Sequence, residues 1–238
     1  MRTSPESVFK AYPWGRQAIC LAPLALMLVI LTTWGGTGNS LTLRFGALRT
    51  ELPDTTKVLE FLTDWLIPFL YAVWLMFFFR ALLRKDTPGI RRFAVFALVQ
   101  ICVAMLLVQL TKSTIGRPRP GPALEGVGFM PWSFDNDTQS FPSGHTAEAT
   151  GAASPFVVRV NSSLLALLPG LVIALVAFSR LFLSRHHLSD IAGGACVGVA
   201  ASFLNFYLCT ENRHDYFFKQ IPRRFRIFAR TESGADPR

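Results

Sequence analysis

Charged residues are scarce in this chain, at 16% of 238 residues against 51% hydrophobic. A soluble domain carries about 25% charge, so this deficit and the positive mean hydropathy exclude an ordinary soluble fold and place the chain in the membrane class. Cysteine is sparse too. Cys20, Cys102, Cys196 and Cys209 have neither metal-ligand spacing nor a disulfide framework, and they lie within or at the ends of apolar segments, which predicts buried free thiols. No internal repeat or low-complexity stretch divides the chain, which leaves one domain of packed spans.

What the chain has in quantity is apolar runs. Ala18 to Trp34, Leu62 to Leu83, Phe93 to Leu110, Leu164 to Leu183 and Leu188 to Leu208 approach the ~20 residues a helix needs to cross ~30 Å of hydrocarbon. Thr146 to Val158 is shorter and rich in small residues, so it reads as a packed interior span. The fold class is therefore all-α: a polytopic membrane protein of six transmembrane helices, occupying residues 1–210, with a basic cytoplasmic tail at 211–238 that is partly disordered. A cleaved signal peptide is the lesser alternative for the first run, which is longer than an h-region and lacks a clear cleavage site.

Six spans place both termini on one side. With the N-terminus inside, sixteen of the 24 basic residues fall on inner segments and eight on outer ones, so the positive-inside rule predicts cytoplasmic termini. The basic aromatic tail around Arg223, Arg224 and Arg226 fits attraction to anionic inner-leaflet lipid rather than nucleic-acid binding. Between the first two spans, Asp54 to Leu62 is either a separate helix capped by Asp54 or an extension of the second span.

Three polar blocks stand at the outer ends of the spans: Lys112-x6-Arg119-Pro120, Pro142-Ser143-Gly144-His145, and Ser179-Arg180-x5-His186-x3-Asp190. Together they supply three cations, two imidazoles, a carboxylate and a glycine turn, the inventory for attack on a phosphate ester. His186 and Asp190 share a helix face, so the carboxylate can hold one ring nitrogen and present the other. His187 is a competing candidate, though the spacing favours His186. Gly144 lies at a helix start, where free N–H groups and the dipole favour an anion. Prolines around Arg117 and Arg119 limit how far their side chains wander. Taken singly, each block also has an ordinary reading: a structural ion pair, a capped helix start with an interfacial histidine, a solvated basic loop.

These three blocks resemble the signature of the type 2 phosphatidic acid phosphatase superfamily, which includes membrane lipid phosphatases, glucose-6-phosphatase and vanadium haloperoxidases, and they match it at every signature position. The resemblance implies that His186 attacks phosphorus to form a phosphohistidine, that Asp190 orients it, and that His145 protonates the leaving oxygen. It implies phosphate binding by Lys112, Arg119, Arg180, Ser143 and Gly144, with neither metal nor cofactor. The haloperoxidase branch is soluble, which this chain is not. Hydrolysis of a lipid phosphomonoester or pyrophosphate is the expected function, with the substrate's tail held in the bilayer. Candidates are phosphatidic acid, phosphatidylglycerol phosphate, undecaprenyl pyrophosphate and lipid A phosphates. Transfer to a second lipid is the alternative, and nonenzymatic lipid binding or transport a lesser one. The site would face outward from a bacterial inner membrane; the oligomeric state stays open. Arg117 and Glu148 are candidate modulators outside the signature. Glu148 either raises the pKa of His145 or bonds to a neighbouring span, while Asp135, Asn136 and Asp137 could cover the site.

Overall fold

A computed structural model of the chain describes residues 5–121, 124, 126–158, 160 and 162–210. The predicted basic tail lies outside the described residues. Among them there is no strand. The helices are α1 (Pro5–Ala11), α2 (Trp14–Gly35), α3 (Asn39–Glu51), α4 (Pro53–Leu83), α5 (Thr87–Val99), α6 (Val108–Ile115), α7 (Gly144–Val157), α8 (Ser163–Phe182) and α9 (Leu188–Cys209). A π-helical stretch, Gln100–Leu107, joins α5 to α6 in one rod.

Five helices are long and apolar enough to cross a membrane: α2, α4, the rod Thr87–Ile115, α8 and α9. The chain is thus an integral membrane protein. The sixth expected span, α7, has 14 residues, which at 1.5 Å per residue is ~21 Å and short of the ~30 Å hydrocarbon core. Eleven of those residues are buried, so α7 is a central strut enclosed by its neighbours rather than a lipid-facing span. Among the described residues, the helices able to cross unaided number five rather than the expected six.

Small residues make that enclosure feasible. A Cβ at Gly198 on α9 would collide with Thr150 and lie 2.7 Å from the Ala147 carbonyl oxygen of α7. A Cβ at Gly170 would strike the Cys20 carbonyl, so α2 and α8 also meet backbone to backbone. Without a hydrophobic drive between helices in lipid, such close van der Waals contact is what holds them. Trp74 fastens α4 to α7 by donating from Nε1 to the Ala152 carbonyl at 2.9 Å, and it stacks on Phe96 at 4.1 Å. Gly198→Leu is expected to cost about 1–3 kcal/mol of overpacking strain, seen as a lower thermal midpoint in detergent; an unchanged midpoint would show that α7 and α9 separate freely.

One open alternative is resolved and one sequence expectation is corrected. Asp54 caps no separate helix: Leu52 precedes Pro53 at the first helical position, and α4 runs unbroken to Leu83, so 54–62 extends the second span. A helix does lie in that outer segment, but earlier, as α3. The four thiols are free, yet only Cys20 is fully buried; Cys102 and Cys196 are exposed on the outside of their helices.

Candidate active site

The site forms where the ends of α6 and α8, the starts of α7 and α9, and the loop from Gly116 to Pro142 converge. Each element stops there for a local reason. The rod ends at Gly116, whose φ of 60° suits glycine and whose absent side chain makes room for the Met130 backbone. Ser143 caps α7, its Oγ accepting from the Thr146 N–H at 3.4 Å and from the Thr146 hydroxyl at 3.0 Å. The hydroxyl proton of Ser143 is left to donate, and the Gly144 N–H sits in the first turn, where helix donors lack internal partners.

His186 lies in the short connection between α8 and α9. Its Nδ1 donates to the Ser140 carbonyl at 2.8 Å, while Asp190 Oδ2 stands 3.7 Å away. The expected grip of Asp190 on the ring is therefore corrected: a backbone carbonyl makes the hydrogen bond, and the carboxylate acts as a close charge. A proton held at Nδ1 leaves the lone pair on Nε2. Burial keeps the pKa of His186 down at about 4, against the upward pull of Asp190, so the ring is neutral near pH 7.

Asp190 is wholly buried and fully engaged. It accepts from Arg117 NH1 at 2.6 Å, the Ser140 hydroxyl at 2.5 Å and the His187 N–H at 2.8 Å. Its own carbonyl receives the Ser143 N–H at 3.0 Å, which ties the start of α9 to the start of α7. His187 is turned aside, with Nε2 3.2 Å from the Pro118 carbonyl oxygen. The adjacent histidines differ in their contacts: His186 bonds beside Asp190, and His187 stands at the start of α9.

The cations of the first and third blocks lie close enough to act on one another and on His145. Lys112 Nζ would lie 3.5 Å from a Cβ placed on Gly144, so the ammonium stands against that glycine. Arg180, Lys112, Arg119 and His186 all act electrostatically on His145, and Arg119 and Arg180 act on Lys112. Arg180 NH1 reaches Thr63 Oγ1 at 3.5 Å, while its Nε is buried without a hydrogen-bond partner among the described residues. Arg119 is held by Asn136, donating from Nε to the carbonyl and from NH2 to the side-chain oxygen, both at 2.7 Å. Burial lowers its pKa, as does neighbouring Arg185. Asn136 thus positions a cation rather than covering the site.

Glu148 accepts from the Tyr71 hydroxyl of α4 at 3.4 Å, the bond to a neighbouring span that was one of its two expected roles. Arg117, read only as a modulator, is the ion-pair partner of Asp190. Ser140 was missed. It lies two residues before the second block with no spacing signal of its own, and only the fold reveals that its carbonyl and hydroxyl serve both members of the His186–Asp190 pair.

A bundle of membrane-spanning helices whose ends gather cations around a neutral histidine defines an integral membrane protein. The sequence matches the PAP2 superfamily over residues 93–214, just over half its length, and the chain belongs to that superfamily. It is similar to lipid phosphate phosphatase 2 of Arabidopsis thaliana, with 27% identity over 203 residues and 67% of this chain covered. It spans 65% of that relative's length. A solved structure that resembles it is the transmembrane PAP2 type phosphatidylglycerolphosphate phosphatase from Bacillus subtilis, at 24% identity and a TM-score of 0.44, covering 82% of this chain and 96% of that one.

Proposed function

We propose that this protein is a membrane lipid phosphatase that hydrolyses a phosphomonoester or diphosphate headgroup through a phosphohistidine on His186, without a metal ion. The observation that carries this reading is the Nδ1 bond of His186 to the Ser140 carbonyl, which leaves Nε2 free as a nucleophile among cations drawn from two separate blocks. Membership of a phosphatase superfamily, and the similarity to a relative named for lipid phosphates, support the same class of substrate.

In this mechanism His186 Nε2 attacks phosphorus as the ester P–O bond breaks, and His145 gives its proton to the departing oxygen. His145 then takes a proton from water, whose oxygen attacks the phosphohistidine and returns Nε2 to its neutral state. Lys112, Arg119 and Arg180 hold the nonbridging oxygens with the Ser143 hydroxyl and the Gly144 N–H. Arg117 and Ser140 fix Asp190, and Asp190 balances the charge that His186 gains. We further propose that α7 completes a six-span topology with both termini cytoplasmic and the site facing outward from a bacterial inner membrane.

The test is phosphate release by purified protein in detergent with EDTA, from a panel of lipid monophosphates and diphosphates. Release that survives EDTA is expected; product analysis separates hydrolysis from transfer, and no release from any lipid by folded protein would overturn the reading. The pH profile adds a second check. Protonation of His186 sets an acid limb near its pKa of about 4, well below the ~6.5 of a free imidazole. After correction for titration of the substrate, kcat/KM should show no acid limb near pH ~6.5. The same shift makes folding stability complete above about pH 6.5 and progressively lost towards pH 4, because the unfolded chain binds the proton more tightly.

A further inference from the structure

Arg185 stands immediately before His186 and belongs to none of the three blocks. Its backbone N–H donates to the Arg180 carbonyl at 2.9 Å, which fixes the turn, but its exposed side chain has no hydrogen bond or ion pair among the described residues. A second extra arginine reaches the same corner. Arg49 on α3 donates from NH1 to Ser184 Oγ at 2.8 Å and to the Phe182 carbonyl, the two residues that lead into Arg185. The Nε and NH2 of Arg49 make no hydrogen bond among the described residues and are not sealed from solvent.

Arg185 repels Arg49, Arg119 and Arg180, so four guanidinium groups crowd one corner of the site. Asp64 acts on Arg180, and Asp137 and Asp190 act on Arg119, whereas Arg49 and Arg185 have no ion pair among the described residues. Lys112, Arg119, Arg180 and the start of α7 already match the charge of one phosphoryl dianion. Two additional arginines beside them leave positive charge that such a group does not neutralise.

We propose that Arg185 and Arg49 form a second anion subsite next to the phosphate cradle, which takes the lipid-linked phosphoryl group of a lipid diphosphate. The proposal rests on the phosphatase reading and names its substrate class. His186 Nε2 attacks the terminal phosphorus, the bridging P–O bond breaks, and the electron pair leaves on the lipid monophosphate; water then releases inorganic phosphate from the histidine. With a lipid monophosphate the leaving group is an alkoxide, which needs a proton from His145. With a diphosphate it is a phosphate monoester, whose developing charge two guanidinium groups can stabilise directly.

The experiment compares farnesyl diphosphate with farnesyl monophosphate in detergent, using the full chain and its Arg185→Gln and Arg185→Lys variants. Arg185→Gln is expected to lower kcat/KM for the diphosphate about 10- to 100-fold and for the monophosphate by less than about threefold, with partial recovery in Arg185→Lys. An equal loss on both substrates, or no loss on the diphosphate, overturns the subsite. If the wild type hydrolyses neither compound, the phosphatase reading is decided by the wider lipid panel, and the subsite is judged by binding alone. For that, methylenediphosphonate and inorganic phosphate are titrated into His186→Ala protein with and without Arg185→Gln. Weakening of the diphosphonate by about tenfold, with phosphate affinity unchanged, supports the subsite; parallel behaviour of the two anions removes it.

Discussion

His186→Ala is expected to reduce lipid phosphate hydrolysis by about four orders of magnitude or more while leaving the protein folded. The ring makes one hydrogen bond, to the Ser140 carbonyl, so its removal costs little structure beside what it costs the reaction. The companion variant His187→Ala should lose less than about tenfold, because that ring bonds to the Pro118 carbonyl and supports the start of α9. Phosphorus-labelled substrate quenched in alkali should leave label on the wild type and none on His186→Ala. Label that persists in the His186 variant, or a loss as deep in the His187 variant, would reassign the nucleophile.

The second large effect belongs to Asp190, and it should divide between rate and stability. Asp190→Ala leaves the Arg117 guanidinium, the Ser140 hydroxyl and the His187 N–H without their shared acceptor in a place where Asp190 has 0% exposure. Breaking one side of such a buried pair typically costs about 3–5 kcal/mol. Arg117 keeps 25% of its side-chain surface, which places the expected cost at the low end, about 3 kcal/mol. Asp190→Asn keeps the shape and some acceptors, so it should fold better yet still turn over about 10²- to 10³-fold more slowly, since no charge balances the ring. A double-mutant cycle with Arg117→Ala, read by thermal unfolding and by kcat, separates the two roles. Additive losses in the cycle would mean that the pair is not coupled.

The sequence exposed the helices and much of the site for different reasons. Long apolar runs in a chain poor in charge leave little freedom, so the positions of α2, α4, α8 and α9 were legible to within a few residues at most ends. The extent of α4 was not, because Asp54, Lys57 and Glu60 break the apolar run without breaking the helix. The short α7 was readable as an interior helix from its alanines and glycines, though its length could be judged only with its neighbours in place. At the site, side chains that carry charge were visible from spacing. The bond that orients His186 was not, since it uses a main-chain carbonyl, and any residue has one. Asn136 escaped for a similar reason: a loop amide reveals its purpose only when the fold brings Arg119 to it.

The length of α4 has a bearing on how a substrate can approach. Its 31 residues reach ~46 Å, some 16 Å more than the hydrocarbon layer. The hydrogen bond between Thr63 and Arg180 marks the level of the reaction centre on this helix, so the ten residues from Pro53 to Leu62 stand beyond it as a post ~15 Å tall. The reaction centre is therefore fenced on one flank. Under the proposed phosphatase reading, a lipid with a small headgroup would rotate freely beside that post, whereas one whose phosphate bears a bulky sugar or peptide would have to swing the bulk to the open side before its phosphorus met His186.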